Sequence, residues 1–168
     1  NAIIAPATKN MKEQIFWAAQ RARSENWEKL ADKPKMERTI PIFRALIASD
    51  TEGVQHENHG QLGFALKDQR NPNWVEAQAE LTEAIRLRGD WKKSGWLPHY
   101  EFVRAMCRIN LDEAFKSGKP TDEETKQSIL SDLEVAFSDY QVKELALKQP
   151  DVKKWMELNS VTASRRGT

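Results

Sequence analysis

An all-α fold is what this sequence predicts, and three observations carry it. Glycine and proline are sparse, seven of each in 168 residues, while Ala, Leu, Glu, Lys and Arg abound, a balance that favours helix over sheet. Alternation of β-branched residues is nearly absent. The longest candidate strand, Thr39-Ile40-Pro41-Ile42-Phe43, is interrupted by proline and continues at helical spacing through Leu46 and Ile47. Third, Leu62, Gly63 and Leu66 are followed, after a turn, by Ala77, Leu81 and Ala84 at i, i+4, i+7. Small residues at that spacing let two antiparallel helices approach closely. Ala105 with Ile129, Leu133 and Ala136 repeats the arrangement, so a helical hairpin recurs.

Taken in order, the first helix is expected from Thr8 to Ala31, with Met11, Ile15, Ala18 and Ala22, then Trp27 and Leu30, on its apolar stripe. Asp32-Lys33-Pro34 stops it, because proline disfavours helix at the residue before it. A second helix runs from Pro34 to Ser49 with Thr39, Phe43 and Leu46 inward, and Asp50-Thr51-Glu52-Gly53 is turn chemistry. A third runs to about Arg70. Asn73 and Glu76 have capping-box spacing for the fourth, which carries Ala77, Leu81, Ala84 and Leu87 and ends at Gly89 in a left-handed cap. Asp90 to Gly95 reads as a basic turn bracketed by Trp91 and Trp96. The fifth helix spans Trp96 to Lys116 and stops at Ser117-Gly118-Lys119-Pro120. Thr121 with Glu124 gives a second capping box, and the sixth helix continues through Ile129, Leu133, Ala136 and Phe137. Val142–Leu147 and Asp151–Leu158 form short helices joined at Pro150 and anchored by Trp155, and Ser160–Thr168 reads as a frayed tail.

The length suits one domain, residues 1–159, burying about two-thirds of its unfolded surface. The charge balance, 26 basic against 25 acidic side chains, provides no field that would steer the whole molecule to nucleic acid or membrane. No apolar run approaches the roughly 18–20 residues of a membrane span, and no charged-then-apolar leader opens the chain. One cysteine excludes an internal disulfide framework. Together these features place the protein in the cytoplasm. The chain opens on Asn1-Ala2 without methionine, which suggests an appended pair and a longer natural protein.

The hairpin pattern resembles the tetratricopeptide repeat, a helix–turn–helix unit of about 34 residues. Leu62, Gly63 and Leu66 match the anchors of its first helix, and Ala77, Leu81 and Ala84 those of its second. In the following unit Ala105 occupies the small-residue position and Ile129, Leu133 and Ala136 complete the set. The match covers residues 57–137, with a more degenerate pair from Met11 to Ser49. His59 and Glu101 stand where the family has tryptophan, and Arg108 where it has an aromatic. The proline that usually ends each unit is missing. The 71–73 turn is about two residues longer than the family's, and the 110–121 connection about a dozen longer. The resemblance implies a short, irregular array of seven or eight stacked antiparallel helices. It also implies a concave groove lined by the first helix of each pair, with Phe64, Lys67 and Asp68 from one unit and His99, Phe102, Met106 and Asn110 from the next. Phe and Met beside a lysine suit an extended peptide or an amphipathic helix with an acidic end, and Arg104 and Arg108, four apart, supply cations for a carboxylate. The competing reading is that terminal helices fold over these residues and make them core.

No enzyme is expected, and no cofactor or metal. His56 and His59 are three apart with Glu57 between them, whereas the zinc hydrolase motif needs histidines four apart. Cys107 lies mid-helix beside Arg108 and reads as a buried thiol. The adjacent acids Asp112-Glu113 and Glu123-Glu124 point apart on a helix. The alternative to a protein-interaction module is a nucleic-acid binder using Arg86, Arg88, Lys92 and Lys93 interleaved with Trp91 and Trp96, since single strands use stacking beside cations. Four charges at a helix end also satisfy the helix dipole. The leading expectation is therefore a non-enzymatic scaffold or regulatory module that binds a protein or peptide.

Overall fold

A computed structural model describes Ile4 and residues 7–163. Among these residues there is no strand, and eight helices of nine residues or more are joined by three short ones. The expected tail lies largely beyond the described residues. The chain divides into two compact units, with the boundary in sequence between Gly89 and Asp90. That boundary falls between the two hairpins of the repeat-like stretch. No helix among the described residues is long and apolar enough to cross a membrane.

The first unit contains α1 (Lys9–Asn26), α2 (Lys33–Glu37), α3 (Thr39–Ser49), α4 (His56–Asp68) and α5 (Trp74–Arg88). Its tightest element is the α4–α5 hairpin. Leu62, Ala65 and Leu66 on α4 and Ala77, Leu81 and Ala84 on α5 are buried, as their spacing predicts. Gly63 is packed so closely that a Cβ there would lie 2.7 Å from Leu81 Cγ and 3.3 Å from the Ala77 carbonyl oxygen. The turn is fastened at both ends. The Asn73 side chain accepts from the Glu76 N–H at 3.1 Å, and the Asn73 N–H donates to the Leu66 carbonyl at 3.0 Å. The Glu76 carboxylate takes the Asn73 side-chain amide at 3.0 Å, a variant of the expected capping box. Gly89 ends α5 at positive φ (72°), but with ψ at −142° it is not the left-handed helical cap that was expected.

The expected second helix is two helices. Pro41 lacks the N–H that would bond the Glu37 carbonyl, and its ring crowds that oxygen, so the helix breaks at Arg38 and restarts. In α3, Pro41 sits in the first turn, where no intrahelical donor is needed. Thr39, Phe43 and Leu46 are inward as expected. The first helix ends at Asn26, five residues before its expected end, and its buried side is Phe16 and Ala19. Met11 and Ala18 are exposed, and so are Trp27 and Leu30 in the connection to α2. The stripe is rotated because Ile15 to Ala19 is apolar all round. Phe16 wins the inward place by meeting Phe43 edge-on, ring centroids 6.2 Å apart.

The second unit contains α6 (Trp91–Ser94), α7 (His99–Leu111), α8 (Glu113–Lys116), α9 (Glu123–Phe137), α10 (Tyr140–Lys148) and α11 (Pro150–Leu158). The α7–α9 pair is antiparallel and buries Ala105 against the stripe of Ile129, Leu133 and Ala136. α11 packs on α7 and α10, with Trp155 fully buried. The basic turn after Gly89 is a one-turn helix that Gly95 ends in the left-handed conformation. The expected fifth helix breaks at Asp112, whose side chain caps α8. Asp122, not Thr121, caps α9. The Thr121 hydroxyl is occupied elsewhere, donating to Asp112 Oδ2 at 2.6 Å and accepting from Trp155 Nε1 at 2.8 Å. The Thr121 N–H donates to Asn159 Oδ1 at 2.9 Å. This buried knot ties the 117–122 loop to the end of α11.

Gly63→Ala is expected to overpack the α4–α5 contact and cost roughly 1–3 kcal/mol, and Leu81→Ala roughly 2–5 kcal/mol through lost burial and a cavity. Because the clash is chiefly with the Leu81 side chain, the double variant should lose clearly less than the sum in urea melts. Additive losses would mean that the two residues do not meet.

Candidate functional site

The candidate site lies on α1. Thr8 opens the helix by accepting the Met11 N–H at 3.3 Å. Lys12 Nζ donates to the Ser49 carbonyl at the end of α3 at 3.1 Å, placing a cation at a helix C-terminus. Arg23 Nε donates to Gln61 Oε1 on α4 at 2.6 Å. These contacts and Phe16 fix the rotation of the helix, so that Asn10, Met11, Gln14, Trp17 and Ala18 all face solvent. Met11 and Trp17 are each 52% exposed. At about 100° per residue the five positions share an arc of about 120°, and none of them is charged in a chain that is 30% charged. The Trp17 ring is braced by Phe16, at 5.1 Å between centroids and nearly perpendicular. Single exposed apolar side chains elsewhere, such as Val75 and Tyr140, are ordinary. A Trp and a Met set among uncharged neighbours have the chemistry of an interface centre. Covering the open half of a tryptophan, on the order of 100 Å², contributes about 2–3 kcal/mol.

The groove positions expected from the repeat resemblance are largely occupied by the protein itself. Arg23 lies over the Phe64 ring at 5.3 Å and 3.9 Å from Asp68, while Lys67 pairs with Asp68 and lies 5.8 Å from the Trp27 ring. Lys33 donates to the Asp68 carbonyl, and Asp68 itself is buried. The end of α1 and the start of α2 therefore cover this face of α4. Burial lowers the Arg23 pKa, and the Asp68 carboxylate offsets that in part. In the second unit Phe102 and Met106 are buried. Asn110 donates to the Met106 carbonyl at 2.9 Å and to Asp151 of α11 at 3.1 Å. These are core positions because the terminal helices fold over them.

Arg104 and Arg108 are not presented to a ligand carboxylate. Arg104 grips Asp132 of α9 in bidentate fashion at 2.7 and 3.0 Å, and Arg108 bonds the same carboxylate at 2.9 Å and the Ser128 carbonyl at 2.7 Å. Burial pushes the Asp132 carboxyl up and the Arg108 guanidinium down. The two arginines offset part of the effect of burial on Asp132. Asp132 was not anticipated from sequence; the available signal was an acid one residue from the Ile129–Leu133 stripe, opposite arginines four apart.

The basic patch is divided. Arg86 is exposed and paired with Glu83 at 2.5 and 2.8 Å, and Arg88 is buried, donating to the Gly89 carbonyl at 3.2 Å. Both belong to the first unit. Trp91, Lys92, Lys93 and Trp96 belong to the second, where Lys92 lies 5.7 Å from the Trp91 ring and Lys93 is exposed.

His59 Nδ1 is 2.6 Å from Glu80 Oε2 across the α4–α5 hairpin, His56 Nε2 is 3.6 Å from Glu57, and His99 lies in the other unit near Asp139 and Glu101. Among the described residues no three His, Cys, Asp or Glu side chains are placed to hold a metal. Cys107 is fully buried, Asp112 is spent on capping α8, and Glu123 and Glu124 occupy the exposed first turn of α9.

Burial lowers the pKa of His56, with Glu57 opposing and Arg88 adding to the effect. It also lowers that of His99, with Asp139 and Glu101 opposing. A histidine depressed in the folded state takes up its proton more readily when unfolded. Stability is thus full above the ordinary imidazole value of about 6.5 and declines as pH falls below it. Urea midpoints should drop between pH 7 and pH 5, and His56→Gln with His99→Gln should flatten that drop. An unchanged slope in the double variant would contradict the assignment. Compared with family models, with curated proteins and with solved structures, the chain matches none.

Proposed function

We propose that this chain is a non-enzymatic protein-interaction module, a scaffold or regulatory segment, that engages its partner through the outward face of α1. The observation that carries the reading is the pair Met11 and Trp17, half exposed among the uncharged Asn10, Gln14 and Ala18. Trp17 is held edge-on by a buried phenylalanine, so little side-chain freedom is lost when a partner covers it. The resemblance to the tetratricopeptide repeat, a family of binding scaffolds, points to the same class of function. The surface, however, is a convex helix face and not the groove. Its apolar centre suits the apolar stripe of a partner helix. A single buried thiol, free of any disulfide, fits a cytoplasmic setting.

A photo-reactive amino acid placed at Ala18 should crosslink a protein in cells, and the same residue placed at exposed Glu134 on α9 should not. Trp17→Ala should weaken that interaction by roughly 30-fold, the loss typical of a central aromatic anchor. Equal crosslinking at both positions, or indifference to Trp17→Ala, would overturn the proposal.

A further inference from the structure

We infer that residues 27–37, the α1–α2 connection together with α2, form a strap over the end of α4 that opens on its own while the rest of the first unit stays folded. The inference goes beyond the outward face of α1 and does not depend on it. A segment of a folded chain ordinarily turns its apolar side chains inward and its charges outward. This one does the reverse. Trp27 and Leu30 are 42% and 71% exposed, and among the described residues 27–37 Met36 alone is buried. The contacts that reach α4 are charged. Lys33 Nζ donates to the Asp68 carbonyl at the end of that helix. The Glu37 carboxylate takes the Arg70 guanidinium at 2.7 and 3.0 Å and the Arg70 N–H at 2.8 Å. The Lys67 ammonium lies 5.8 Å from the centre of the Trp27 ring.

These fastenings are weak for the length of chain they hold. Fixing each residue's backbone opposes closure through lost conformational entropy. One buried methionine offsets only part of that, and Glu37 meets an Arg70 that is exposed to solvent, so their attraction is modest. The strap's own backbone bonds are local. The Asp32 and Lys33 N–H groups share the Lys29 carbonyl at 3.0 and 3.2 Å, and the Met36 N–H donates to the Asp32 carbonyl at 3.3 Å. The strap is bounded by Asn26, where α1 ends, and by Arg38, where the helix already breaks ahead of α3, so lifting it unwinds neither neighbour. Segments with few buried apolar contacts open locally, well below the free energy of global unfolding. Lys67 and Asp68, which the repeat resemblance assigns to a binding groove, lie beneath this segment, and the Lys67 side chain is only 14% exposed. Lifting the strap uncovers Lys67 and the last carbonyl of α4, while Arg23, on α1, stays over Phe64. The strap is thus an intramolecular cover on that end of α4, and its charged fastenings set how often it lifts.

Amide hydrogen exchange of the whole chain, read residue by residue by NMR, tests this, with the rate of Lys67 acetylation by an activated acetate ester as a second readout. In the wild type the bonded amides of Asp32, Lys33 and Met36 should exchange at least about a hundredfold faster than those of Leu81 and Ala84 in the core of α5. Glu37→Gln removes the charge and keeps an acceptor. It should speed exchange at the three strap amides by about tenfold, as expected for the loss of a bidentate charge-assisted pair, and Lys67 acetylation should rise with it. Lys33→Gln should act in the same direction, so the test stands even where one variant folds poorly. Leu30→Ser, at an exposed position, should change neither readout. Strap amides that exchange as slowly as Leu81 and Ala84 would overturn the inference. So would an acceleration in both charge variants that spreads evenly to α5, no acceleration in either, or Lys67 acetylation that does not follow strap exchange.

Discussion

The close approach of α4 and α5 at Gly63 is the constraint on which the first unit depends. A hydrogen in place of a methyl group at this position lets the Leu81 side chain and the Ala77 carbonyl fill the space a Cβ would need. Ala77 and Ala84, fully buried to either side of Leu81, extend the same economy along the helix. Dispersion at short range is weak per atom pair and large in sum, so two backbones brought this near need few bulky residues between them. α3 then packs on α4, and α1 packs on α3. In the second unit Ala105 has the corresponding small-residue role between α7 and the Ile129–Leu133–Ala136 stripe.

Most of the polar side chains that could serve a ligand are committed to holding helices in place. Arg104 and Arg108 neutralise one buried acid, Arg23 bonds Gln61 and covers Phe64, and Thr121 unites Asp112 with Trp155. A buried charge with two arginines is poor evidence of added stability, since desolvation offsets much of the attraction. It does fix the register of α7 on α9, because bidentate geometry permits little sliding. The face left unused by this internal economy is the outer side of α1. Its apolar residues there have no core to enter, because Phe16 has already taken the inward place.

Local spacing made the hairpins legible. Leu62, Gly63, Leu66, Ala77, Leu81 and Ala84 act within single helices, and all six are where the sequence puts them. Three features were not legible, each for a physical reason. Ile15-Phe16-Trp17-Ala18-Ala19 has no polar side to set its rotation, so only the tertiary contact with Phe43 decides which face is buried. Pro41 argues against a strand, and its missing donor also divides the helix ahead of it. The Thr121–Glu124 spacing mimics a capping box, yet a hydroxyl drawn into a buried network leaves the cap to Asp122. The groove positions follow from the repeat's spacing within single helices, and nothing in that spacing encodes the terminal segments that cover them.

The most direct test of the close-packed hairpin is nuclear Overhauser contact in the isotope-labelled protein. The Gly63 α-protons should show strong cross-peaks to the Leu81 methyl groups, as the near-contact of a Cβ at Gly63 with Leu81 implies. Absence of those cross-peaks, with the Gly63 amide exchanging freely with solvent, would contradict it.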